Sequence, residues 1–177
     1  NNAFAFYGGY HMADPSVFRF TNNAFYDNDR PLYLDSSYTV STTNIFHNPE
    51  NPQEKNKRNC IWMWHTSVQN VNTIWGITEV PYVLDQYDQG NLGSSLTIAD
   101  NVVVKFANAS SGLKTSYARE VTLSNSAIMT SLKDDAHGGD TNGDGNTSTP
   151  QAGDWYGFYD ADEGVFITGS NILYAGS

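Results

Sequence analysis

Apolar residues along this chain fall in short bunches and alternating runs, seldom at the three-to-four-residue spacing of an amphipathic helix. The strand-like stretches are SVFRF (16–20), PLYL (31–34), YTVS (38–41), CIWMW (60–64), EVPYVL (79–84), SLTIADNVVVKFA (95–107), EVTLSNSAIMTS (120–131), WYGFY (155–159) and GVFITGSNILYA (164–175). Clusters of Asn, Asp, Gly and Ser separate them and carry turn chemistry. The pattern predicts an all-β chain. Spaced strands without helical connectors fit a sandwich, a barrel or a solenoid.

Repetition favours the solenoid. NNAF (22–25) returns as TNIF (43–46), twenty-one residues on; VNTIW (71–75) repeats the sense, and SNIL (170–173) echoes it. An Asn followed by an apolar pair at a period of about 20 to 25 residues is what a β-helix coil produces. Each coil would place one Asn at a tight bend, its amide bonding to the Asn above and below, and the next apolar side chain would stack inward. The expectation is one domain over 1–177, with five to seven irregular coils. HNPENPQEKNKRN (47–59) would be extruded as a loop, 133–154 would form a long acidic loop, and 1–14 would be an exchanged or capping segment. An antiparallel β-sandwich remains the alternative fold.

Composition narrows the partners. The net charge is −10 with nine Lys plus Arg, so neither a basic patch nor a basic stripe for nucleic acid or anionic membrane can be assembled. No apolar run approaches the roughly 18 residues of a membrane span. Asn reaches 19 residues. Cys60 is alone and reads as a small buried hydrophobe. The opening NNAFAFYGGY reads as a processed or excised beginning.

SLTIADNVVVKFANASSGL (95–113) and MTSLKDDAHGGDTNGDGNTSTPQAGDWYGF (129–158) resemble segments of right-handed parallel β-helix proteins of bacterial cell surfaces. In those adhesin-like proteins a strand pair leads to a DD-x-x-GGDTN-x-DG…GDW loop and then to a new coil. WGITEVPYVL (75–84) is similar to the strand that opens such a unit. The likeness covers about residues 70–160 and departs from the family at KTSYARE (114–120), where Gly-punctuated apolar strands are usual. It implies a right-handed β-helix, an extracellular or cell-surface setting, and a structural or adhesive role.

Within the acidic loop, Asp140, Asn142 and Asp144, followed by Gly145, match the first half of a calcium loop, D-x-[DN]-x-[DN]-G. Alternate side chains converge on one ion, and the glycine permits the sharp turn that a ring of hard oxygens requires. The carbonyl of Asn146 and the hydroxyl of Ser148 occupy the seventh and ninth ligand places. The twelfth is Gln151, not a bidentate Glu, so Asp134, Asp135 or Asp154 would complete the shell. A structural Ca²⁺ and a metal-free cluster of Asx turns are both open readings.

An enzymatic role is the rival. β-Helix lyases and hydrolases of acidic polysaccharides use carboxylates on neighbouring coils or calcium with a basic residue. Asp134, Asp135, Asp160, Asp162 and Glu163 supply carboxylates, but Lys105, Lys114, Arg119 and Lys133 are too scattered for a basic groove. His11, His47, His65 and His137 lack metal-ligand spacing and read as surface or turn residues. Trp62, Trp64, Trp75 and Trp155 read as core, or as a platform for surface glycans; alternation sends Trp62 and Trp64 to one face. The two ends carry no polar cap in the sequence, which invites head-to-tail self-association into a filament. AFAFY (3–7) would be the donated strand, with Phe4 and Phe6 as anchors on one face and Tyr7 on the other. Folding back onto its own domain is the alternative for that strand. The expected function is therefore an extracellular structural or adhesive filament subunit, not an enzyme, with a carbohydrate-binding module as a further alternative.

Overall fold

The computed structural model describes residues 4–7, 20–64, 71–88 and 93–176. They form a β-solenoid of about four turns, without a helix. The elements are β1 (Phe4–Tyr7), β2 (Arg30–Asp35), β3 (His47–Asn48), β4 (Asn51–Lys55), β5 (Ile61–Trp64), β6 (Asn72–Trp75), β7 (Tyr82–Leu84) and β8 (Tyr87–Asp88). Then follow β9 (Ser94–Ile98), β10 (Val103–Phe106), β11 (Gly112–Thr115), β12 (Arg119–Leu123), β13 (Ile128–Ser131), β14 (Gly157–Asp160) and β15 (Val165–Ile167).

Parallel sheets stack these strands. The first runs β1-β2-β5-β7-β10-β13, the second β15-β14-β11-β8 and the third β12-β9-β6. Leu32 pairs with Ile61, Ile61 with Tyr82, Tyr82 with Val104 and Val104 with Met129. Those side chains face inward, because a strand's period of two sends alternate residues to opposite faces. Their neighbours Tyr33, Trp62, Val83, Lys105 and Thr130 form an outward ladder at the same registers. The parallel stacking excludes the sandwich. Fewer turns form than the expected five to seven because two excursions consume chain. One is the exposed β3–β4 hairpin, and the other is the long segment between β13 and β14.

The interior is filled by large side chains. Trp75 stacks on Tyr82 at 5.0 Å, and Phe106 on Trp155 at 4.0 Å with ring planes 4° apart. All four rings are fully buried, and each buries on the order of 150–250 Å² of apolar surface. Cys60 is also buried, and burial pushes its thiol up to about 12. A buried ion pair, Arg119 with Asp88 at 2.9 Å, ties the start of β12 to β8.

The Asn ladder forms at two corners. Asn23 meets Asn44, and Asn28 meets Asn56. The echo at SNIL takes a similar place: the Nδ2 of Asn171 donates to the carbonyl of Ala127 at 2.9 Å. VNTIW does not join the ladder. Its Asn72 lies in β6, where its Oδ1 accepts the Ser95 hydroxyl.

The C-terminal run departs from the expectation of an uncapped, continuing strand. After β14 the backbone turns back through Gly164, at φ +71°, while Asp160 Oδ1 accepts the N–H groups of Asp162 and Glu163. β15 then pairs antiparallel with β14. Beyond it, Ile172 and Ala175 bridge to Met129 and Trp155, so this segment lies across the last coil.

Candidate metal centre

The segment between β13 and β14 leaves the coil, folds back over the outward face of the first sheet and returns. Two carboxylates pin its ends. Asp134, buried, accepts hydrogen bonds from Thr130 Oγ1 at 2.6 Å and Ala136 N at 3.1 Å, and pairs with His137 Nδ1 at 2.7 Å. Burial alone would raise its pKa, but those partners outweigh it and hold the carboxyl below its ordinary value. Asp154 accepts from Ser131 Oγ at 2.7 Å, Gln151 N at 2.9 Å and Lys133 Nζ at 2.6 Å. Burial again opposes and is outweighed by Lys133, Gln151 and Ser131, so its pKa is also lowered.

Between the pins the loop docks on the coil. Gly138, at φ +76°, leaves room for the Pro81 ring, which a Cβ would meet at 3.1 Å. The positive φ favours glycine there, and a side chain would also press on the proline ring. Lys105, from β10, projects beneath the loop with its side chain fully buried, and its ammonium donates to the carbonyl of Gly139 at 2.6 Å. Burial lowers the Lys105 pKa, while the charges of Asp135, Asp134 and Asp140 act the other way.

The D-x-N-x-D spacing produces nested Asx turns. Asp140 Oδ1 accepts Gly143 N at 2.7 Å and Asp144 N at 3.2 Å, and its Oδ2 accepts Gly145 N at 2.9 Å. Asp144 accepts Thr147 N at 3.0 Å, Ser148 N at 3.1 Å and Asn142 Nδ2 at 2.9 Å. The Ser148 hydroxyl also donates to Asp144, foremost among the contacts that lower the Asp144 pKa. Asn142 Oδ1 accepts Asp144 N at 3.2 Å. Asn146 is exposed in a left-handed conformation, φ 66°.

Three of the expected ligands converge. Oxygens of Asp135, Asp140 and Asp144 all lie within 4.8 Å of one another. Asp135 Oδ1 is buried without a hydrogen-bond partner. Burial and the neighbouring Asp140 raise its pKa, with Asp144 adding to them and Lys105 opposing. Such a group of hard, charged oxygens suits Ca²⁺. Of the remaining expected ligands, Asn142 and Ser148 border the group through hydrogen bonds to Asp144, and Asp134 serves the base of the loop. Lys105 was absent from the sequence-derived site. The only signal for it was alternation in VVVKF, which turns its side chain outward.

The self-assembly residues lie at the opposite end of the first sheet. β1 pairs parallel with the chain's own β2, with Phe6 against Leu32 and Tyr7 against Tyr33. Phe6 turns inward and packs edge-on to Phe20 at 4.9 Å. Tyr7 stacks on Tyr33 at 5.3 Å, and Trp64 lies 5.7 Å from Tyr33. The backbone of Phe4 pairs with Arg30, whereas its side chain, and His11 and His65, lie outside the described residues. Trp62 and Trp64 do share the outer face, where the Arg30 guanidinium covers the Trp62 ring at 4.1 Å and Trp64 packs at a tilt against Tyr33 and Tyr7. Trp75 and Trp155 are core. His47 pairs with Glu79 at 2.6 Å.

No protein-family model matches the chain, and neither a curated protein nor a solved structure matches it.

Proposed function

We propose that this chain is a structural, adhesive β-solenoid of a bacterial cell surface, able to assemble into filaments, with a structural Ca²⁺ in the loop 133–154. The observation that carries this reading is the placement of its chemistry. The coil interior is packed with side chains, and the converging carboxylates sit on a loop pinned at both ends to that coil. A divalent ion there would brace a rod. The resemblance of 95–113 and 129–158 to bacterial surface β-helices supports the setting. AFAFY, whose β1 pairs with the chain's own β2, would be the segment exchanged between copies, with Phe4, Phe6 and Tyr7 at the contact.

The test is electron microscopy of the purified full chain and of a variant lacking residues 1–7, alongside assays on uronic-acid polymers. Filaments formed by the full chain and lost from a folded truncated monomer are expected. Turnover of such a polymer, abolished by Asp160→Ala, would overturn the structural reading. Filaments that survive the truncation would remove β1 as the link.

A further inference from the structure

We infer that the Lys105 ammonium is the resident cation of the acidic loop, holding it closed over the outer sheet face, so that a divalent ion enters against that charge. The inference deepens the calcium reading but stands on a separate observation. Lys105 is fully buried, and a buried lysine costs several kcal/mol unless charge or hydrogen bonding compensates it, on the order of the penalty per ion in real proteins. Its one hydrogen bond is to the neutral carbonyl of Gly139. The carboxylates of the loop, Asp135 first and then Asp134 and Asp140, favour its charge and offset part of the effect of burial, which still lowers its pKa on balance. Reciprocally, Asp135 carries a buried oxygen without a hydrogen-bond partner and faces Asp140 and Asp144. Three carboxylates this close repel one another. Lys105 supplies the balancing charge from below, on a strand that cannot move without breaking the sheet. The coil thus clamps its own loop electrostatically.

Replacing Lys105 with Met keeps the length of the apolar stem and removes the charge. In chelator, amide exchange across 136–148 should then quicken at least about tenfold relative to the unaltered chain, because the carboxylates are left uncompensated. Adding Asp135→Asn to Lys105→Met should restore protection, since the lost positive charge is matched by a lost negative one. Ca²⁺ titrated by calorimetry should bind Lys105→Met roughly tenfold or more tightly than the unaltered chain. Unchanged exchange in Lys105→Met would overturn the inference. So would a double variant that stays loose or unfolded, because packing and not charge would then be at fault. If neither protein binds Ca²⁺ while the exchange pattern holds, the calcium reading falls and the clamp stands. If both bind it equally and exchange is unchanged, the clamp falls and the calcium reading stands.

Discussion

Asn23 lies one coil from Asn44, and both its backbone N–H and its Nδ2 donate to Asn44 Oδ1, each at 3.0 Å. Asn28 and Asn56 repeat the arrangement at 3.3 and 3.0 Å. In each pair the second Asn sends its own Nδ2 back to the preceding coil, to Phe20 O at 2.7 Å or Phe25 O at 2.8 Å. One amide therefore satisfies a corner of its neighbour that the sheet ladder cannot reach.

The two members of a pair should not be equal. Asn44 is buried and serves two carbonyls as well as Asn23, whereas Asn23 is exposed. Asn44→Ala should cost about 1–3 kcal/mol, the price of buried groups left unsatisfied. Asn23→Ala should cost under about 1 kcal/mol, because water replaces what is lost. Urea unfolding of both variants and the double variant measures this. Equal losses would mean that the ladder is not the source.

The Arg119–Asp88 pair gives a second expectation. Both side chains are nearly inaccessible, so removing one partner strands a buried charge. Asp88→Ala should destabilise by about 3–5 kcal/mol. A double replacement by apolar residues of similar volume should recover much of that loss. Denaturant midpoints of the single and double variants decide it. A single-variant loss under 1 kcal/mol would place this pair with ordinary surface bridges, about 0–1 kcal/mol.

Most of the coil is legible in the sequence. PLYL, CIWMW, YVL and VVVKF became stacked strands because alternation with turn punctuation admits few other arrangements. The Asn23–Asn44 corner was readable for the same reason: its spacing is uninterrupted. The Asn28–Asn56 corner was hidden because the β3–β4 hairpin stretches that coil to 28 residues. Asn72 misled because Asn followed by apolar residues also fits an ordinary strand. In the loop, D-x-N-x-D announced the Asx turns and the pairing of Asp140 with Asp144. That Asp135 joins them while Asp134 turns away depends on Thr130 and His137. The burial of Lys105 depends on the loop folding back, which spacing along one strand cannot report.

Acid should act on the loop in two stages of opposite sign. Asp135 has a raised folded pKa, so its ionised form costs stability at neutral pH, and the cost is relieved as pH falls through that raised value. Asp134 and Asp154 have lowered folded values. Their contribution is fully present above the unfolded carboxylate value near 3.9 and is lost as pH falls through their folded values. In chelator, melting midpoints should hold or rise slightly on acidification towards pH 4, then drop steeply. Asp135→Asn should remove the first stage alone. A steady decline beginning near neutrality would contradict this assignment.

Melting of the full chain in chelator and across millimolar Ca²⁺ bears most directly on the metal centre. At a hundredfold excess over its dissociation constant an ion bound only by the folded state adds about 2.7 kcal/mol. For a chain of this size that is a rise of roughly 5–10 °C in the midpoint. The rise should disappear in Asp140→Asn and Asp144→Asn. A midpoint unchanged by chelator and by millimolar Ca²⁺ would contradict the metal centre and leave residues 140–148 as hydrogen-bonded Asx turns.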